Sequence, residues 1–504
     1  MGARAPRLIA EENGVDLQVT LAGPGDRVAR IYRELRAAVL DGRLEPGDRV
    51  PATRDLARQL GVARGTVTAA YDRLSAEGFL EARTGSGTYV ATVSLYDATG
   101  DAMGRSTDAS GDGRRARPGA VHPLPLWEAT APRPSRRDRP LHDLSLGQPE
   151  PALFPLEVWR RLVGAQLRRS RLEESAYSGR GSPRLQREIA RFLGLARGVV
   201  ASGDDVIVTA GAQQAVDLMA RVVLAPRAVV AVEDPGYFAV HRLLETHRVA
   251  LRGVPVDDEG LVVEAIPPET RLVYVTPSHQ FPTGVAMSLG RRVALLRWAV
   301  EHDALILEDD YDSEFRFGEQ PVEPLQSLDR VGRVAYVGTF SKSLLPALRV
   351  GYVVPPRSLA AAVREAKRVT TWEGDLTTQG ALAEFLAEGH HAAHVRRATR
   401  VYRERRDRVL AGLAGCADLL DVVPSVAGLH VCARFRDESV DDREAAARAA
   451  ARGVRVEALS DHYRRLPPRP GLAIGFGGIG ADAVPDAMRR LEAALRGAPG
   501  SGTD

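Results

Sequence analysis

A chain of 504 residues, 44% hydrophobic and 26% charged, is long enough for several hydrophobic cores, so two or three domains are expected rather than one globular fold. Its net charge of +3 neither demands nor excludes nucleic acid as a partner, so local charge has to decide. The two cysteines, Cys416 and Cys432, exclude a disulfide framework and a four-ligand zinc site; a reducing cytoplasm fits, and no metal centre is expected. The N-terminus turns acidic and polar before any apolar stretch develops, and no run of about 18 apolar residues occurs, so neither a signal peptide nor a membrane span is expected. Of the 68 basic residues only Lys342 and Lys367 are lysines, which makes each of the two informative.

Residues 26–91 come first. Val28, Ile31, Tyr32, Leu35 and Val39 repeat at helical spacing and stop before the turn EPGD. Thr53 is a plausible N-cap for a short second helix carrying Leu56 and Leu60, and Gly61 supplies its stop. A third helix buries Val67, Tyr71 and Leu74 and leaves Arg64, Thr66 and Thr68 on the opposite face. FLEAR and TYVA read as short strands of a hairpin through Thr84-Gly85-Ser86-Gly87. A helix pair followed by such a wing suits entry into the major groove. Arg64 can grip a guanine edge, the threonines can donate to phosphate, and Arg54 can clamp a further phosphate. A helical protein-interaction module with solvated arginines is the plainer alternative.

Residues 92–142 are rich in Gly, Pro, Ser, Asp and Arg and poor in apolar side chains, the composition of a flexible linker. Its second half is net basic, which suits either a solvated spacer or auxiliary phosphate contacts.

Residues 143–496 alternate helical patterns with short apolar runs such as DVIVTA, AVVAVE, RLVYVTP, ALILED and VAYVGTF. That alternation predicts a mainly parallel α/β sheet covered on both faces. Within it, TAGAQQA follows a strand and opens a helix, so the amides near Ala212 and Gln213 can face a phosphate. Tyr237, after another strand, could stack on a ring or simply fill the core. ALILEDDYDSEF sets acidic residues at the end of a buried strand, where an unpaired carboxylate is expensive; Asp309 therefore needs a cationic partner. VGTFSKSLLPALRVGY places Thr339, Ser341, Lys342 and Arg349 in one loop, which combines an amine for a Schiff base with groups that hold a phosphate dianion.

The segment EPGDRVPATRDLARQLGVARGTVTAAYDRLSAEGFLEARTGSGTYV resembles the winged helix of the GntR family. That resemblance implies that Arg54, Arg64, Thr66, Thr68 and the wing near Gly85 contact double-stranded operator DNA; a Ser or Thr cap common in the family is Ala63 here. The later motifs, in their order, resemble fold-type-I aminotransferases, and with the GntR head they resemble the MocR family of regulators. The implied architecture is multidomain: an N-terminal winged helix-turn-helix, mainly α with a β wing, and an α/β fold-type-I domain dependent on pyridoxal 5'-phosphate. By the same resemblance Lys342 is the Schiff-base lysine, Asp309 the pyridinium partner and Tyr311 the donor to the ring oxygen. Thr339 and Arg349 are then phosphate ligands, and Tyr177, in YSGRGSPRLQ, reaches the phosphate across a homodimer interface. Two departures stand out. Phe281 in HQFPTG replaces the asparagine that touches the ring oxygen, and the arginine that grips a substrate carboxylate falls at Ala473.

The expectation is a cytoplasmic, DNA-bound regulator whose cofactor domain senses a small amine, an amino acid or pyridoxal phosphate itself, the last in control of pyridoxal-phosphate synthesis. Lost carboxylate and ring contacts argue for weak transamination at most. The alternatives are a working aminotransferase with an accessory DNA-binding domain and an inert dimerisation scaffold.

Overall fold

The structure, a computed structural model, describes residues 26–91, 123–128, 140–168, 181–318 and 323–497. The chain divides into two compact units between Thr130 and Ala131.

In the first unit, α1 (Arg27–Leu40) begins at Asp26, whose side chain accepts from the Val28 N–H, and buries Ile31, Tyr32, Leu35 and Ala38, the i, i+4, i+7 stripe of an amphipathic helix. After α1 come β1 (Arg49–Val50), α2 (Thr53–Leu60), α3 (Arg64–Ala76), β2 (Leu80–Arg83) and β3 (Gly87–Val90). Leu56, Val67, Tyr71 and Leu74 pack with α1 in a single core, and the Tyr71 hydroxyl donates to the Pro51 carbonyl at 2.8 Å. Two details differ from the sequence reading. Thr53 is the first helical residue rather than the cap, because the extended backbone ends at Ala52, which offers no side-chain bond. The wing is also three-stranded, since β1 pairs antiparallel with β3; two residues are too short for any periodicity to show.

The second unit is built on an eight-stranded sheet of β5 (Ile207–Thr209), β6 (Val229–Asp234), β7 (Ala250–Asp257), β8 (Gly260–Leu261), β9 (Thr270–Val275), β10 (Leu305–Asp310), β11 (Val334–Thr339) and β12 (Gly351–Val354). Spatial order is β5-β12-β11-β10-β9-β6-β7-β8. The central pairs β7·β6, β6·β9, β9·β10 and β10·β11 are parallel, while β12 runs antiparallel to both neighbours and β8 to β7. β10 and β11 are buried at every residue, as a sheet covered on both faces requires. Two separate cores, one holding Val216, Met219 and Leu244 and the other Leu295, Ala299 and Leu325, flank this sheet.

A smaller antiparallel sheet follows, with β13 (Leu420–Val422), β14 (His430–Phe435), β16 (Glu457–Ala458) and β17 (Gly471–Gly475) in the order β13-β14-β17-β16. β4 (His142–Asp143) pairs parallel with β15 (Val454–Arg455). His142, the last residue of the compositional linker, thus lies in a strand, its ring 2.8 Å from Asp486. Most of the linker, like Tyr177, lies outside the described residues.

Candidate cofactor pocket and DNA-reading face

The C-terminal ends of β9, β10 and β11 open into a cavity of about 160 Å³ lined by Lys342, Asp309, Tyr311, Thr339, Ser341, Arg349, Ala212, Gln213, Tyr237 and Phe281 among others. Ligands of open α/β sheets bind at this edge, because loops leaving parallel strands diverge there. The structure therefore gathers every described pocket residue named from the sequence; Tyr177 lies outside the described residues. A larger cavity of about 560 Å³, lined by Phe192, Glu314, Leu386 and Arg396, holds no lysine.

Lys342 follows β11, and its Nζ donates to the Gly147 carbonyl at 2.9 Å. Gly147 has φ +66°, and a Cβ there would stand 2.5 Å from Nζ, so the amine occupies space that only glycine leaves. Burial pulls Lys342 below the ordinary lysine range, against the carboxylates of Asp312, Asp309 and Glu457, which favours a neutral, nucleophilic amine.

Three consecutive carboxylates end β10, and their partners separate their roles. Glu308 accepts from the backbone N–H of Leu325 and of Gln326. Asp310 pairs with Arg197, whose Nε donates at 2.8 Å. Asp309 accepts from the Tyr274 hydroxyl at 2.7 Å on Oδ2, while its buried Oδ1 has no partner. Burial pushes Asp309 up to about 7, opposed by the Tyr274 bond. A buried acceptor left open beside a cavity suits a cationic N–H in that cavity.

At the other end, Gly211 precedes the helix Ala212–Val223, so its first amides are unsatisfied and the positive end of its dipole faces the pocket. Thr339 Oγ1 lies 3.0 Å from Ser341 Oγ, and Arg349 is braced by donating to the Ala210 carbonyl at 2.7 Å. Helix amides, two hydroxyls and a guanidinium form a cradle for a phosphate dianion.

Sequence reasoning missed Gly147, Tyr274, Thr276, Pro346 and His430 in the lining, and the support of Tyr311. His279 Nδ1 lies 3.0 Å from the Tyr311 hydroxyl and 3.1 Å from Asp312 Oδ1. When Nδ1 carries its proton to Asp312, the Tyr311 hydroxyl keeps its own proton for a ligand. His279, Asp312 and His430, all buried, bring ligand atoms within 4.8 Å of one another. The His279–Phe281 spacing within HQFPTG was the available signal for this support; Gly147 and His430 come from distant chain segments and had none. Phe281 lines the cavity with its ring edge-on to Tyr237 at 5.3 Å, and Ala473 is fully buried in β17.

On the first unit, Arg54 and Arg64 are exposed and Thr66 and Thr68 half-buried. Arg64 Nε donates to Thr53 Oγ1 at 3.4 Å, tying the start of α3 to that of α2, and Ala63 caps α3 without a side-chain bond. Gly85, at φ +80°, is exposed at the wing tip.

Residues 27–90 match the family of bacterial regulatory proteins, gntR family, and residues 142–463 match aminotransferase class I and II. The chain is 37% identical to the probable rhizopine catabolism regulatory protein MocR of Rhizobium meliloti, over 94% of each chain. It is 32% identical to the HTH-type pyridoxine biosynthesis transcriptional regulator PdxR of Corynebacterium glutamicum, over 90% of this chain and 93% of that one. Among solved structures, the kynurenine aminotransferase of Pyrococcus horikoshii in complex with PMP superposes with a TM-score of 0.66 at 26% identity, covering 72% of this chain and 93% of that one. Both halves occur in the same order as in these regulators: the chain belongs to the MocR family of HTH-type transcription regulators, with a GntR helix-turn-helix joined to an aminotransferase-like domain.

Proposed function

We propose that this regulator carries pyridoxal 5'-phosphate on Lys342 and uses that domain as a ligand sensor for operator binding. The observation that carries the reading is the convergence of a half-buried lysine amine, an open buried Asp309 oxygen and a phosphate cradle in one pocket. Bound there, the cofactor would supply an electrophilic carbon for amines and an electron-withdrawing ring. Lys342 would hold it covalently, Asp309 would keep the ring nitrogen protonated, and Tyr311, steadied by His279, would donate to the ring oxygen. Ala212, Gln213, Thr339, Ser341 and Arg349 would take the phosphate, joined by Tyr177 of the partner subunit in a homodimer, and Tyr237 would pack on the ring.

On the DNA side, Arg54, Arg64, Thr66, Thr68 and the wing at Gly85 would face a double-stranded operator, with residues 92–141 as the linker between the two domains. Phe281 and Ala473 stand where ring and carboxylate contacts would be, so transamination of common amino acids should be feeble, as a misplacement of about 1 Å can cost roughly a hundredfold in rate. The protein would then act in the cytoplasm, on the nucleoid. Footprinting the DNA that flanks its own gene, with and without pyridoxal phosphate, tests the reading: a protected site that changes with the cofactor supports it, and a footprint indifferent to cofactor and to amines overturns it.

A further inference from the structure

The larger cavity, of about 560 Å³, shares no described lining residue with the cofactor pocket. Its lining is drawn from the helices Pro183–Arg197, Leu376–Ala387 and His390–Ala414 and from the segment 313–316 that follows β10. The size is that of a small-molecule site, which typically spans about 300–1,000 Å³. Phe192, Leu386 and Val395 give it an apolar wall, and Leu195, also in the lining, is 80% exposed. A large apolar side chain left in water beside a concave apolar surface gains from whatever covers both.

Two polar groups interrupt that lining. Arg197 keeps only 3% of its side chain exposed. Its Nε donates to Asp310 at 2.8 Å and its Nη2 to Ser278 Oγ at 3.0 Å, while the buried Nη1 has no partner. Glu314 holds a buried Oε2 that also has no partner, so the two groups are not bonded to each other. Burial pushes this carboxyl up to about 8, with the Asp310 charge adding to the effect and Arg197 opposing it, so at pH 7 it is protonated. Both groups can therefore donate, and a buried donor left without an acceptor is costly. A ligand carboxylate accepts from a guanidinium and from a neutral carboxyl alike, whereas an ammonium would meet the Arg197 cation. Arg191 and Arg396, both exposed, add positive charge to the same lining, Arg191 in an ion pair with Glu188 at 3.6 Å.

We propose that this cavity is a second ligand site, for a small carboxylate with an apolar body, and that Arg197 anchors the carboxylate. The test is isothermal titration of the full-length protein, with one equivalent of pyridoxal phosphate present, using octanoate and octanamide. The two probes have the same chain and differ in the charge of the head. Octanoate is expected to bind at one site per chain, at least about tenfold more tightly than octanamide, the scale of one hydrogen bond to a charged group. Arg197→Lys, whose single ammonium is engaged by Asp310, is expected to bring the two probes within about threefold of each other. Leu386→Trp and Ala392→Trp set an indole at lining positions on two different helices, and each is expected to abolish octanoate binding. Ala392 is exposed, so its variant leaves the core packing alone.

Octanoate binding that is absent, or no tighter than that of octanamide, overturns the proposal, and these comparisons need no variant. An unchanged preference in R197K overturns it too, as does undiminished octanoate binding in A392W. If A392W keeps octanoate binding and changes the oligomeric state, the cavity is an interface between copies of the chain instead.

Discussion

Replacing Asp309 with asparagine keeps the acceptor for Tyr274 and removes only the charge. In the cofactor-free protein the carboxyl is buried, its Oδ1 has no partner, and burial holds it at about 7 against an ordinary 3.8. The folded state therefore binds this proton more tightly than the unfolded chain does, so stability falls as pH rises between the two values. The loss is absent below about pH 4 and complete above about pH 7; three units at 1.36 kcal/mol each give about 4 kcal/mol as an upper bound. Glu233, Glu308 and Glu314 are also pushed up by burial and contribute with the same sign, so only the difference between wild type and variant isolates Asp309. Urea unfolding of both cofactor-free proteins from pH 4.5 to 8 should show Asp309→Asn gaining on wild type by about 2–4 kcal/mol across that range. With cofactor added the order should reverse, because the wild-type carboxylate gains a cationic partner and the variant does not. A difference that is flat with pH, or one in which wild type gains as pH rises without cofactor, would refute the reasoning.

Lys342→Ala should abolish the visible band of the cofactor-loaded protein and its borohydride-fixable link. Lys367→Met should keep both but lose about 1.5–3 kcal/mol in urea unfolding, because its buried Nζ donates to the Trp372 carbonyl at 2.7 Å. Arg64→Ala should weaken operator binding in a gel-shift titration by about 1–3 kcal/mol while leaving cofactor binding intact; equal affinity would exclude α3 as the recognition helix. Gly351→Ala would set a Cβ 2.8 Å from the Gly211 Cα, and should cost about 1–3 kcal/mol of stability by overpacking. It should also weaken cofactor binding, because Gly211 opens the phosphate-facing helix; a thermal scan with and without pyridoxal phosphate separates the two effects.

The features legible in the sequence were those written in one stretch of chain. The Lys342 loop showed itself because an apolar strand ran into hydroxyls, a rare lysine and an arginine, and Asp309 because a carboxylate at the end of a buried strand demands a partner. The mainly parallel character of the sheet that holds β6, β9, β10 and β11 followed from continuous apolar runs separated by helical patterns, while their order did not. What stayed hidden is assembled from remote segments. His279, Asp312 and His430 meet only after β9, β10 and β14 are in place. Thr53 was misplaced by one position because Ala52 and Thr53 differ in backbone conformation, which side-chain preference alone does not report.

The most direct test of ligand-dependent regulation pairs two readings on one preparation of the cofactor-loaded protein: operator affinity, and turnover with a panel of amino acids and a keto-acid acceptor under matching ligands. A ligand-dependent operator affinity with turnover far below about 1 per second is the predicted result. Sustained turnover at or above that rate, with operator affinity indifferent to every ligand, would contradict it.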